Sequence, residues 1–268
     1  MPYFGITAFL GPLPAPEDWI EPAVEAGVDL LEIRAEPGFA HPSVVNASYA
    51  RRLRRLLRAA GLQVSLHAPL HDLNPASAIP EVEAAAWTEL ASCVELAAEL
   101  QAELLVIHPG SVPHEYPPVY QDDAERRFSF GLQLLTAQAA AKGVQPALEN
   151  KQRGRGEDLV CTPEEHLRFL QEVPGLGACL DLGHMNTLEL DPADYVKALE
   201  DRLVHVHLHD NHGQQDEHLP LEQGSLDWRR ALASLEAVNY KGAVVLELPT
   251  LEGIGSSLAL IRNLESTP

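Results

Sequence analysis

The 268-residue sequence contains little cysteine: Cys93, Cys161 and Cys179 are widely spaced and form no C-x-x-C pair. An odd number of separated cysteines predicts neither a disulfide framework nor a cysteine zinc site. Such usage suits a reducing cytoplasm, where we expect the protein. The opening segment MPYFGITAFLGPLP has no basic stretch and contains early glycine and proline, so we expect no signal peptide there.

Long apolar runs and basic residues are also scarce. No run of about 18 apolar residues occurs, which disfavours a membrane-spanning helix. Lysine and arginine total 19 against 39 aspartates and glutamates, giving a formal net charge of −20. A field of this sign repels nucleic acid and anionic membranes, so the composition disfavours both as partners.

The sequence lacks a proline- and serine-rich linker, and no glycine-rich phosphate motif follows a predicted strand. Instead, eight short β-branched runs alternate with eight segments of helical period, which indicates a parallel sheet. The strands are predicted near residue 5 and at 28–34, 62–68, 103–109, 144–150, 177–183, 203–209 and 243–249. The helices are predicted at 17–26, 48–60, 80–100, 122–142, 163–172, 191–201, 227–238 and 255–265. Eight units predict the α/β class and a single (β/α)₈ barrel domain over residues 1–268.

Side chains alternate between the interior and the exterior of such a barrel. In the segment VHVHLHDNHGQQDEH (204–218), this alternation places His205, His207 and His209 inside. The same parity turns further polar residues inward near the C-terminal strand ends, where active sites of this fold lie. They are His67, His108, Glu149, Asp181 and Glu247.

Buried carboxylates require a cation or several hydrogen-bond donors. Few basic residues lie near the strand ends; Arg34 shares the inward parity and could contact substrate or pair with Glu32. Convergence of the inward carboxylates and imidazoles therefore predicts a divalent metal, and oxygen and nitrogen ligands suit Zn²⁺, Mn²⁺, Fe²⁺ or Co²⁺. Gly183 is expected to permit a tight turn that brings His184 beside Asp181.

Seven short motifs occur in order, each at a strand end or the adjoining loop. They are HAP (67–69), HPG (108–110), LEN (148–150), LDLGH (180–184), HLHD (207–210), DEH (216–218) and LELP (246–249). Together they resemble the xylose isomerase-like TIM barrel superfamily. That superfamily includes the sugar phosphate isomerase/epimerase family and the endonuclease IV family, also called AP endonuclease family 2.

The resemblance to the isomerases and epimerases implies one divalent ion, Zn²⁺ or Mn²⁺, and a small-molecule sugar substrate. The ligands of this ion would be Glu149, Asp181, His207 and Glu247. Glu149 and Glu247 would also be the catalytic acid and base in an enediolate-type proton transfer. The resemblance to the nucleases implies up to three zinc ions. The additional ligands would then be His67, His108, His184, Asp216 and His218.

Details of the motifs favour the sugar enzymes. The segment HAPLHDLNPAS has Leu70 where the nucleases have an aromatic residue, and HLPLEQGSLDW resembles the loop of the sugar enzymes. We therefore expect a metal-dependent isomerase or epimerase of carbohydrate metabolism. An abasic-site phosphodiesterase and a metal-binding barrel without turnover are the alternatives. The expected substrate-binding residues are His67, His108, His184, His218, Arg34 and Asn74. Trp228 is expected to form a wall of the pocket, and no pattern indicates an oligomeric state.

Overall fold

A closed barrel of eight parallel strands forms the centre of the protein. The computed structural model describes residues 2–8, 13–152 and 156–265. The strands are β1 (Tyr3–Ala8), β2 (Leu30–Arg34), β3 (Gln63–His67), β4 (Leu104–Ile107), β5 (Ser111–Pro113), β6 (Gln145–Glu149), β7 (Gly156–Asp158), β8 (Gly177–Asp181), β9 (Leu203–Leu208) and β10 (Ala243–Leu246). The barrel runs β1-β10-β9-β8-β6-β4-β3-β2 and closes on itself. The expected (β/α)₈ fold is confirmed; its extent as one domain over residues 1–268 stays a prediction.

Helices follow the barrel strands and cover their outer surface. They are α1 (Ile20–Ala26), α2 (Ala47–Ala59), α3 (Pro80–Leu100), α4 (Pro118–Ala140), α5 (Pro163–Glu172), α6 (Leu182–Asn186), α7 (Pro192–Leu199), α8 (Trp228–Ala237) and α9 (Leu251–Glu265). Helix α4 begins four residues before its predicted start, with Pro118 in the first turn, where a missing N–H costs nothing. Within the described ranges, no helix has both the length and the apolarity needed to cross a membrane.

Two short strands lie outside the barrel. β5 and β7 pair in antiparallel orientation and join the loops that follow β4 and β6. The side chain of Asn74 fastens the loop after β3 to β5, because its Oδ1 accepts from Ser111 N at 3.1 Å and its Nδ2 donates to Ser111 O at 2.9 Å. Three loops at the C-terminal end of the barrel are thereby held together.

The barrel interior is layered. Two small apolar clusters occupy its N-terminal part: Leu30, Ala243 and Val245, and Val106, Ala147 and Cys179. The next inward positions toward the C-terminal end are polar, as the strand alternation predicts. The outward-facing side chains pack beneath the helices in the main hydrophobic core. The polar interior layer is therefore enclosed by apolar packing below and around it.

Candidate metal centre and active site

Four acidic and imidazole side chains converge at the C-terminal end of the barrel. Glu149 ends β6, Asp181 ends β8, His207 lies in β9 and Glu247 follows β10, and all four are at most 2% exposed. The four strands are consecutive in the barrel. Glu149 and Glu247 therefore flank the other two residues.

The geometry centres on one imidazole nitrogen. His207 Nδ1 lies 3.3 Å from Glu149 Oε1, 3.8 Å from Asp181 Oδ2 and 3.7 Å from Glu247 Oε1. Three buried carboxylates around one nitrogen donor form an oxygen-rich set that suits a divalent cation. The donors present therefore fit the metal that the sequence predicts.

Electrostatics of the centre reflect this crowding. Burial would raise the pKa of the Glu149 carboxyl, but the imidazoles of His108 and His207 hold it well below its usual range. Burial would lower the pKa of His207, yet the surrounding acidic groups, including Glu247, raise it well above its usual value. The crowded carboxylates thus favour positive charge at this point, which a divalent ion would supply.

Two further histidines contact Oε2 of Glu149, the carboxylate oxygen other than the one nearest His207. His108 Nε2 lies 2.8 Å and His67 Nε2 lies 3.2 Å from Glu149 Oε2. His67 Nδ1 is 2.7 Å from the carbonyl of Ala68. A carbonyl only accepts, so Nδ1 donates and Nε2 is left to face the carboxylate. Burial and the Lys151 ammonium lower the pKa of His108 to about 3.

A second group of contacts surrounds Asp216. Its Oδ2 lies 3.2 Å from both His184 Nε2 and His218 Nε2, and its Oδ1 lies 3.4 Å from His209 Nε2. His184 Nδ1 donates to Asn150 O at 2.8 Å, and His218 Nδ1 donates to Glu247 O at 2.9 Å. The structure thus brings all nine sequence-predicted metal and acid–base residues into one contiguous site.

His209 is a further member of this site; strand alternation predicted that it points inward but gave it no role. It is fully buried, its Nε2 lies 3.2 Å from Asp181 Oδ1, and its ring stacks on His218 with 4.0 Å between centroids. Burial would lower the pKa of His209, but Asp181 raises it to about 9.

Gly183 has a different role from the expected one. It lies within α6, which Asp181 caps by accepting from His184 N at 2.7 Å, so no glycine-dependent tight turn occurs there. Instead, a Cβ at residue 183 would lie 1.9 Å from His209 Cε1. Glycine is needed because the imidazole of His209, which directly follows β9, packs on the backbone.

The positions of three further residues bear on the sequence expectations. Arg34 lines the mouth cavity and pairs with Glu247 at 2.9 Å. Asn74 does not reach the cavity, since its side chain bonds the backbone of Ser111 and Ala76. Trp228 is 2% exposed and packs in the outer core instead of forming a pocket wall.

The site opens into a cavity of about 350 Å³ at the barrel mouth. Its lining residues are Arg34, Glu36, Leu70, His71, His108, Glu149, Lys151, His184, Asp216, His218 and Glu247. Glu36, His71 and Lys151 were not predicted. Lys151 directly follows the LEN motif and lies 3.4 Å from His184 Nε2, so its position after a strand end was the available signal.

Curated relatives include proteins of both branches of the expected superfamily. An uncharacterized protein of Methanocaldococcus jannaschii is 31% identical over 91% of this chain and 82% of its own length. The D-psicose 3-epimerase of Enterocloster bolteae is 36% identical over 40% of this chain and 35% of its own length. A probable endonuclease 4 of Mycobacterium leprae is 26% identical over 88% of this chain and 90% of its own length.

A solved structure and a family profile extend these matches to nearly the whole chain. The crystal structure of a D-tagatose 3-epimerase-like protein superposes with a TM-score of 0.87 at 29% identity, covering 98% of this chain and 97% of that one. The profile of the xylose isomerase-like TIM barrel family matches residues 20–264. The chain belongs to the xylose isomerase-like TIM barrel family.

Proposed function

We propose that the protein is a divalent-metal-dependent sugar epimerase or isomerase that moves a proton at the carbon next to a carbonyl. The observation that carries the proposal is the placement of Glu149 and Glu247 on either side of Asp181 and His207, with His207 Nδ1 within 3.8 Å of all three carboxylates. Glu149, Asp181, His207 and Glu247 would hold the ion. Zn²⁺ and Mn²⁺ suit this donor set.

The two glutamates have different surroundings: Arg34 contacts Glu247, and imidazoles contact Glu149. Burial would raise the pKa of Glu247, but the Arg34 guanidinium at 2.9 Å holds it well below its usual range. Glu247 is therefore held as the carboxylate, the form that could accept a proton from substrate carbon. Glu149 instead contacts the imidazoles of His67 and His108. A bound divalent ion would polarise the substrate carbonyl and stabilise the enediolate charge.

The cavity supplies groups for a polyhydroxylated substrate. His184 and His218 have their Nδ1 hydrogens committed to backbone carbonyls, so each directs Nε2 toward Asp216 at the cavity wall. Lys151 adds a donor on the same wall. The volume of about 350 Å³ lies within the range of about 300–1,000 Å³ for small-molecule sites. These features support a sugar, with acceptors and donors for several hydroxyls.

Hydrolysis at abasic sites is the second candidate. It is favoured by the presence of all nine residues of the three-zinc set in one site and by the endonuclease 4 relative. The charge of −20 and the acidic mouth, which includes Glu36 and Asp216, oppose the approach of a polyanion. The sugar reaction is therefore the better supported one.

The test combines metal analysis with two assays on the Mn²⁺-loaded and Zn²⁺-loaded protein. We expect solvent deuterium to enter a ketose, from a panel of free and phosphorylated ketoses, at the carbon beside the carbonyl. Glu247→Gln should abolish exchange while substrate still binds. Glu217→Gln, in an exposed loop where Glu217 contacts His212, is the matched control and should retain activity. Cleavage of abasic-site DNA by a three-zinc protein, without exchange, would refute the proposal. Tight metal binding with neither reaction would identify a barrel without turnover.

A further inference from the structure

We infer that Glu32 is a positioning residue, which orients the imidazole of His207 so that its Nδ1 faces the metal. Glu32 lies one layer deeper than the carboxylates of the centre and lines no part of the mouth cavity in the described chain. The inference rests on the proposed metal site and concerns how that site is held in place.

Glu32 is fully buried and has partners on both oxygens. It is aligned with Thr7 of β1 and Ser65 of β3 on the neighbouring strands. Ser65 Oγ donates to Glu32 Oε2 at 2.9 Å, and Thr7 Oγ1 donates to Oε1 at 3.3 Å. Across the barrel interior, His205 Nε2 lies 2.8 Å from Oε2. The carboxylate is thus fixed before any metal binds.

The remaining contact connects Glu32 to the metal centre. His207 Nε2 lies 3.0 Å from Glu32 Oε1, whereas Nδ1 of the same ring faces Glu149, Asp181 and Glu247. Nε2 is buried, and although the approach to Glu32 is close, it is not aligned as a regular hydrogen bond. Because Glu32 only accepts while ionised, the Nε2 hydrogen belongs on this side and the Nδ1 lone pair on the other.

Histidines elsewhere in the site are oriented in another way. His67, His184 and His218 each donate Nδ1–H to a backbone carbonyl and present Nε2. His207 presents Nδ1 and has a charged acceptor behind it. A carboxylate behind a ligating imidazole fixes its tautomer and strengthens its lone pair as a donor, and its loss typically lowers metal affinity about 10–100-fold. Burying a carboxylate at this depth is costly, which is consistent with a specific task for it.

The first experiment measures Mn²⁺ affinity by chelator competition in the full chain. Glu32→Gln keeps the size of the side chain and removes its charge, and we expect affinity to fall about 10–100-fold. Ser65→Ala is the matched control, because it removes one donor to Glu32 Oε2 and leaves Oε1 facing His207. Its Mn²⁺ affinity should change less than about 3-fold, which corresponds to a single hydrogen bond of about 0.6 kcal/mol. Unchanged affinity in a folded Glu32→Gln protein, or equal losses in both variants, would overturn the inference.

A second measurement needs no substitution. In Zn²⁺-loaded wild-type protein carrying ¹⁵N-histidine, the nitrogen shifts should show His207 coordinated through Nδ1 and protonated at Nε2. Coordination through Nε2 would overturn the inference even if the variants do not fold. Failure of the wild-type chain to bind Mn²⁺ or Zn²⁺ would overturn the proposed function as well. Tight binding with an unaffected Glu32→Gln variant would overturn only the role of Glu32.

Discussion

Replacing Gly183 by alanine tests the close approach of β9 to α6. The added Cβ would lie 1.9 Å from Cε1 and 2.4 Å from both nitrogens of His209. To reach an ordinary contact of 3.4 Å, the ring must move by about 1.5 Å. His209 is fully buried, paired with Asp181 and stacked on His218, so it has no free direction in which to move.

The magnitude follows from this overlap. Overpacking a dense interior costs about 1–3 kcal/mol, and we expect Gly183→Ala to lower the free energy of unfolding by at least that amount. A shift of about 1 Å in a site can lower activity about 100-fold, so kcat/KM should fall by a similar factor in the assay of the proposed reaction.

Urea unfolding and the deuterium-exchange assay measure the two effects. The matched control is Gly255→Ala in α9, where nothing lies within 4 Å of the added Cβ. That change should stabilise the protein by up to about 1 kcal/mol, because alanine is the better helix former. If Gly183→Ala unfolds at the same urea concentration as wild type and keeps its activity, the packing argument for Gly183 is refuted.

Three further predictions concern neighbouring side chains. Asn74→Ala removes hydrogen bonds to Ser111 and Ala76, so it should lower the free energy of unfolding in urea by about 1–3 kcal/mol and leave KM unchanged. A raised KM at unchanged stability would instead indicate a substrate contact. Arg34→Met breaks the buried pair with Glu247, which should lower the free energy of unfolding by about 3–5 kcal/mol. It should also shift the acid limb of the pH profile of kcat/KM to higher pH, because the pKa of Glu247 rises without the guanidinium. An acid limb at the same pH would contradict this. The pKa of His209 is raised from its ordinary 6.5 to about 9, so its contribution to the stability of the metal-free protein is complete below about pH 6.5 and is lost as pH rises through about 9. His209→Gln should remove this pH dependence of the free energy of unfolding in urea. An identical pH dependence in the variant would exclude His209 as its source.

Much of the barrel and its site follows from local sequence patterns. Strand alternation requires no knowledge of distant contacts, so it correctly turned His67, Glu149 and Glu247 toward the interior. Parallel strands then bring their C-terminal ends to one face, which explains why residues far apart in the sequence meet there.

Other features depend on contacts that a local pattern does not contain. Glu32 and Glu247 are both inward-facing carboxylates, so parity alone could not decide which one pairs with Arg34. The need for glycine at residue 183 comes from His209, which follows a different strand, β9. Strands β5 and β7 span three residues each, too short to show any periodicity.

The pairing of β5 with β7, and the tie from Asn74 to Ser111, have a consequence for redesign. The loops after β4 and β6 share backbone hydrogen bonds through β5 and β7, and the Asn74 side chain ties the loop after β3 to them, so the three loops form one structural unit above the barrel. Grafting one of these loops from a relative would leave its hydrogen-bonding partners in the other loops unpaired. A change of substrate preference made by loop exchange would therefore require transplanting the three segments together.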